Sequence, residues 1–181
     1  MSDHESLSSA MARSSVVVSL LGPNIKDSNI SHSLFADIYT SSIFPLMRQH
    51  GLRRILAMGT VSIKRPEDSW NVMQVVLPLL MPLLANAAYR NVLNISRAFE
   101  DHAGGLDWTV FRIAQIPGES DDASWKRDRE DGELFTGWIG EKGWTSSLRR
   151  GALARWLVDA VEGQADDWIG KMPGISKVAG S

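Results

Sequence analysis

Arg53-Arg-Ile-Leu-Ala-Met-Gly-Thr-Val-Ser62 decides the fold. Its centre, Ile55 to Met58, is a continuous apolar run without polar alternation. Such a run is a strand buried on both faces, which happens in parallel sheets covered by helices. Gly59-Thr60-Val61-Ser62 then turns the chain out of the sheet. Upstream, Ser15 to Leu21 is a second β-branched apolar run, closed by Gly22-Pro23. Downstream, Leu106 to Arg112 is a third, ended by Pro117-Gly118. A helix is expected between each pair. Leu34 to Gln49 carries Leu34, Phe35, Ile38, Ile43, Leu46 and Met47 at helical spacing, with Gly51 as its C-terminal cap. Asn86 to His102 is amphipathic, with Val92, Leu93, Ile95 and Phe99 on one stripe, and Gly104-Gly105 stop it.

The remaining segments are less regular. Asn24 to Ser31 is a polar loop, and Lys64 to Ser69 a charged loop holding Pro66. Gly118 to Gly132 is polar and charged, a long loop or a short helix. Thr136 to Trp144 is a weak strand rich in Gly and Trp. Ser147 to Glu162 is a clear helix, capped by Ser146 or Ser147, with Leu148, Leu153, Trp156, Leu157 and Val161 as its apolar stripe. Alternation of strands and helices predicts an α/β domain, a doubly wound Rossmann-like parallel sheet with helices on both faces. Ligands of such sheets bind outside the carboxyl ends of the strands. The candidate site residues are therefore Leu21-Gly22-Pro23, Gly59 to Ser62, and Arg112 to Gly118.

Composition narrows the function. The 181 residues carry 19 Lys plus Arg against 21 Asp plus Glu, a net charge of -2. That balance argues against a nucleic-acid partner, which calls for a basic excess. Cys is 0, so disulfides, Cys-based zinc sites, iron–sulfur clusters and a Cys nucleophile are excluded. His4, His32, His50 and His102 have no metal-ligand spacing, and no metal is expected. The acidic runs Glu119 to Asp122 and Arg127 to Asp131 read as solvated loops. The polar start is the wrong composition for a signal peptide, and the expected location is the cytoplasm. Val72 to Ala85 is strongly apolar but shorter than the ~20 residues of a spanning helix, and it holds Gln74, Pro78 and Pro82. It reads as a buried helix or an oligomer contact.

The strand ends carry a resemblance. Val16-Val-Val-Ser-Leu-Leu-Gly-Pro23 resembles the fourth strand of atypical short-chain dehydrogenases, in particular the NmrA-like and biliverdin-reductase-B-like NAD(P)-binding proteins. Gly51-Leu-Arg-Arg-Ile-Leu-Ala-Met-Gly-Thr60 resembles their fifth strand. Gly105-Leu-Asp-Trp-Thr-Val-Phe-Arg112 resembles their sixth and is the most specific of the three. The likeness spans roughly Asp3 to Val161, and the C-terminal part is most similar to fungal members. It implies NADP or NAD as cofactor and hydride transfer to an unknown small molecule. It also implies cofactor contacts at Leu21, Gly22, Pro23, Gly59, Thr60, Arg112, Ile113 and Ile116. Ser62 and Thr60 fall where the family has its active-site serine; both also suit plain turn-forming roles. Arg112 is often structural in the family. Trp138, Trp144 and Trp156 fall where the family builds its substrate pocket, and suit core packing equally.

Two features depart from the pattern. The Gly-rich turn that holds a pyrophosphate at a helix N-terminus is absent. Met1 to Ala10 resembles the helix after the family's third strand, so the chain reads as one NAD(P)-binding-like domain, 1–181, truncated at its N-terminal side. A sheet lacking its central strands would bare an edge, and the chain is expected either to pair with another copy or to fold poorly. The second departure is catalytic. The usual Tyr-x-x-x-Lys pair is missing, because Tyr89 is followed four residues on by Leu93. Tyr89 stays a candidate proton donor, with a packing role as its alternative. A non-catalytic NAD(P)-sensing or partner-binding protein is the second functional reading.

Overall fold

The computed structural model describes residues 4–26, 29–130 and 132–180. Parts of three sequence readings, at Met1 to Asp3, at Asp27 and Ser28, and at Asp131, lie outside the described residues. The chain forms a five-stranded sheet of β1 (Val16–Ser19), β2 (Arg54–Thr60), β3 (Asp107–Ile113), β4 (Leu134–Gly137) and β5 (Gly174–Lys177), in the spatial order β1-β2-β3-β5-β4. β1, β2, β3 and β5 run parallel, with Val16 opposite Arg54, Arg54 opposite Asp107, and Arg112 opposite Gly174. Only β4 is antiparallel. The α/β Rossmann-like architecture expected from the strand and helix order is therefore present.

One face of the sheet packs on α1 (His4–Met11), α2 (Leu34–Ile38), α3 (Phe44–Gln49) and α5 (Asn86–His102). Ile55, Ala57 and Val110 point into this layer, where Tyr39, Phe44 and Phe99 meet in a ring cluster with centroids 4.9–5.7 Å apart. The alternate residues Leu56, Phe111 and Ile113 point to the other face and pack on Leu148 and on α7 (Arg150–Asp159) through Ala152, Leu153 and Trp156. Two buried faces explain why these strands lack polar alternation. Between α2 and α3 the helix widens by one π-type stretch, Tyr39–Ile43, just ahead of Pro45. Proline brings no N–H to the ladder, and the wider turn relieves the missing bond. Gly51 has φ of +69°, the left-handed conformation of a helix C-terminal cap.

Several expectations need correction. The strand placed at Thr136 to Trp144 is the shorter β4, and β5 beyond it was not expected. The helix placed at Ser147 begins at Arg150, so neither Ser146 nor Ser147 caps it. Instead Gln115 N–H donates to the Ser146 carbonyl and Leu148 N–H to that of Gln115, tying this segment to the loop after β3. The charged run at Arg127 is part of α6 (Asp122–Arg129), and Asp128 is buried there rather than solvated. It accepts from Gly151 N–H and pairs with Arg127 and Arg149.

The Val72 to Ala85 segment is helical as α4 (Val72–Leu84), capped by Asn71, whose side chain accepts from Met73 N–H at 2.8 Å. It is not buried. Gln74 is its only buried residue, while Leu79 is 68% and Leu83 82% exposed. No helix among the described residues is long and apolar enough to cross a membrane.

Candidate functional site

The carboxyl ends of β1, β2 and β3 lie side by side, as their register requires. Beyond β2 the chain makes a tight turn. Val61 N–H extends the ladder to the Ile113 carbonyl (3.1 Å), Ile63 N–H donates to the Thr60 carbonyl (3.0 Å), and Ser62 N–H reaches Thr60 Oγ1 (3.3 Å). This turn, the loop after β1, the loop after β3, α4 and α5 enclose a cleft of about 260 Å³. Thr60, Ser62, Pro23, Ile113, Ala114 and Gln115 line its strand side. Met73, Leu77 and Met81 of α4, with Tyr89 and Val92 of α5, line its helix side.

Of the residues expected at the site, Thr60, Ser62, Tyr89, Pro23 and Ile113 are thus brought together. They come from segments up to 90 residues apart in sequence and meet at one end of the sheet, where ligands of open parallel sheets bind. Leu21 packs instead on the first core layer and Ile116 on the second. Gly22 stands in open space, where an added Cβ would touch nothing. Gly59 is a packing glycine, since a Cβ there would lie 2.8 Å from Val110 Cγ1 and 2.9 Å from Ile63 Cδ1.

Arg112, expected among the cofactor contacts, is a structural residue. Its side chain is 0% exposed and forms a bidentate ion pair with Asp68 at 2.6 and 2.7 Å. Nε also donates to the Met172 carbonyl at 2.6 Å, and Nη1 to the Ile63 carbonyl at 2.7 Å. Asp68 in turn accepts from Arg65 N–H, Ile139 N–H and Gln74 Nε2. Burial pushes the Asp68 carboxyl up, but the Arg112 pair and the further donors outweigh it and hold it below the ordinary carboxylate range. This hub joins β3, the loop after β2 and the N-terminal turn of α4, and so sets where α4 stands over the cleft.

Of the tryptophans expected at a substrate pocket, Trp138 and Trp156 pack against other rings. Trp156 lies against Phe111 and donates to Thr136 Oγ1, and Trp138 meets Trp168 at 5.2 Å. Trp156 does line another cavity of about 300 Å³, with Glu133, Arg155 and Asp159. That cavity runs along α7 and β4, from Leu134, opposite Lys177 at the carboxyl end of β5, to Ala165, whose carbonyl accepts from Arg54 at the start of β2. Tyr39 was not singled out from sequence. Its hydroxyl shares a 2.6 Å hydrogen bond with Ser19 at the end of β1, and burial pushes its pKa up to about 12. Met73, Leu77 and Met81 were missed as well, although their spacing of four within an apolar run marks one helix face.

A family model described as NAD(P)H-binding matches residues 1–164. The chain belongs to this NAD(P)H-binding family. No curated protein matches it. Among solved structures, it is similar to a wide-type short-chain dehydrogenase/reductase from Veillonella parvula in complex with NADP. That match has a TM-score of 0.65 and 12% identity, covering 97% of this chain and 69% of the other. A putative NAD-dependent epimerase/dehydratase from Bacillus halodurans matches with a TM-score of 0.60 and 15% identity, over 98% and 71%. A Rossmann-fold NAD(P)-binding family protein from Shigella flexneri gives a TM-score of 0.56 and 21% identity, over 99% and 68%. For this NAD(P)H-binding chain the cleft offers hydroxyls and an amide but no charged side chain. Those groups fit the uncharged nicotinamide–ribose end of the cofactor; the pyrophosphate has no cationic partner there.

Proposed function

We propose that this chain is a cytoplasmic NAD(P)H-dependent oxidoreductase of the NmrA-like, fungal-type branch, acting on a small carbonyl compound in the cleft. One observation carries the reading: Thr60, Ser62, Tyr89, Pro23 and Ile113 converge on a single apolar cleft at the carboxyl ends of β1, β2 and β3. The cofactor, when bound, supplies a hydride. Pro23, Thr60 and Ile113 hold its nicotinamide end on the strand side, with Leu21, Gly22 and Ile116 shaping the loops behind them. Ser62 and Tyr89 donate hydrogen bonds to the substrate oxygen and orient it. Leu93 stands where the usual pattern has its lysine, so Tyr89 works without that cationic neighbour.

Titration with NADPH and NADH, followed by Trp fluorescence and melting temperature, tests this reading. Cofactor at 100 times its dissociation constant stabilises by about 2.7 kcal/mol, a readily measured shift. Tyr89→Phe should keep that binding and lose at least tenfold in reduction rate. No response from a cooperatively melting protein would overturn the reading. Binding without oxidation by any carbonyl acceptor would favour a non-catalytic NAD(P)-sensing protein, the reading that Leu93 supports.

A further inference from the structure

A surface helix ordinarily turns its polar residues outward. α5 does so: Ala87, Ala88, Ile95 and Phe99 are buried, while Arg90, Arg97, Glu100 and Asp101 are exposed. α4 reverses the order. Its one polar side chain, Gln74, is buried, and every position it exposes is a Val or a Leu, among them Val72, Val75, Val76, Leu79, Leu83 and Leu84. The reversal is built in. The Asn71 cap and the 2.7 Å hydrogen bond from Gln74 Nε2 to Asp68 hold the helix in this orientation. At 3.6 residues per turn, the exposed positions cover about 180° of the helix circumference, from Val75 round to Leu84. No charge interrupts them, since none occurs between Asp68 and Arg90. Trp70, 79% exposed, stands just ahead of the cap at one end. At the other end Ile25, exposed in the loop after β1, borders the same recess as Leu83 and Leu84 and carries the apolar face beyond α4.

This pattern selects one kind of occupant. A protein partner covers the centre of an apolar patch and meets a polar rim around it; the exposed side of α4 has no polar rim along its length. A second helix covers a narrow seam, not half a circumference. Lipid chains cover an arc of any width, need no hydrogen bond, and take an indole at headgroup level. An uncharged stretch also enters without stripping an ion of its water. With 13 residues α4 is about 20 Å long, against a hydrocarbon core of ~30 Å, so it lies in the plane of the boundary. We infer that the outer face of α4, with Trp70 and Ile25 at its ends, is a membrane-docking surface that beds into the boundary between headgroups and acyl chains of a bilayer. The inference does not depend on the cofactor or on what the cleft binds.

Flotation with phosphatidylcholine vesicles, with and without phosphatidylserine, tests it at low and high salt. The folded protein should float with both kinds of vesicle. Salt should not release it, because no charge carries the contact. Leu79→Lys combined with Leu83→Lys should lose at least tenfold in vesicle affinity at an unchanged melting temperature, since both side chains stand in the open. Val158→Lys, at an exposed apolar position of α7, should float as the unmodified protein does. A cooperatively melting protein that stays out of the vesicle fraction would overturn the inference, and needs no variant. So would release by salt, or an equal loss in Val158→Lys. A dimer in vesicle-free solution that the double α4 substitution splits would overturn it too, because a second copy would then cover this face.

Discussion

Replacing Asp68 by Asn should be the most destabilising isosteric change in this chain. Its two oxygens accept five hydrogen bonds. Oδ2 takes Arg112 Nη1 at 2.6 Å, Arg65 N–H at 2.9 Å and Gln74 Nε2 at 2.7 Å. Oδ1 takes Arg112 Nη2 at 2.7 Å and Ile139 N–H at 3.1 Å. An amide must turn its NH₂ toward one of these sets, so at least two donors face a donor, and Arg112 keeps a buried charge without a counter-ion. Both side chains are almost fully inaccessible, at 0% and 2%, so solvent cannot rescue either. Breaking such a pair costs about 3–5 kcal/mol. In a domain of this size that is a fall in melting temperature of roughly 6–20 °C. Urea unfolding at pH 7 measures it directly. The charge also sets a pH signature. The folded pKa of Asp68 is depressed, so its contribution is present above the unfolded value near 3.8 and is lost as pH falls through the lower folded value. Wild-type stability should fall across that acid window, and the slope should flatten in Asp68→Asn. A loss under 1 kcal/mol at pH 7 would refute the claim that this pair anchors α4. Asp68→Leu combined with Arg112→Met should recover part of the loss, because a well-packed apolar pair removes the stranded charge.

Tyr39 makes the opposite prediction in pH. Its folded pKa of about 12 lies above the ordinary 10, so stability from the protonated phenol is complete below pH 10 and falls away between 10 and 12. The full linkage is worth about 3 kcal/mol; Tyr39→Phe should abolish that alkaline limb in urea titrations, and an unchanged limb would refute the assignment. Gly59→Ala should cost about 1–3 kcal/mol by crowding Val110 and Ile63, read as a lower urea midpoint at unchanged m-value. The free edge of β1, with Val18 41% exposed, is proposed to pair with a second copy. Sedimentation should show concentration-dependent dimers that Val18→Lys weakens, and a monomer at every concentration would remove the idea.

What the sequence revealed and what it hid follow from range. β1, β2 and β3 were legible because a short apolar run dominates each, and the polar residues inside β3, Thr109 and Arg112, are themselves buried. The positions just past their ends then locate the cleft, and Pro23, Thr60, Ser62 and Ile113 do line it. β5 was hidden because Gly174-Ile-Ser-Lys177 holds one apolar side chain among four; it is a strand because β3 and β4 offer it partners on both sides. Arg112 was ambiguous for a similar reason. Nothing local to it names Asp68, 44 residues away, and only the fold makes them a pair.

The α4 segment shows the limit most sharply. Its apolar run predicts a helix that avoids water, and composition treats all its positions alike. The structure divides them: Met73, Leu77 and Met81 face the cleft, Gln74 anchors the helix to Asp68, and Leu79 and Leu83 face outward. The only polar side chain in the run is thus the one that fixes its orientation. Rotating the helix by a quarter turn would strand Gln74 in the open and bring leucines over the Thr60–Ser62 turn. That makes Gln74→Leu a sharper probe of the cleft than any substitution of its apolar lining. It should leave the Asp68–Arg112 pair and the cofactor contacts in place, and weaken binding of the proposed carbonyl substrate several-fold while NADPH affinity holds. Equal loss of both affinities would mean that α4 is not independently positioned, and that the hub and the cleft unfold as one unit.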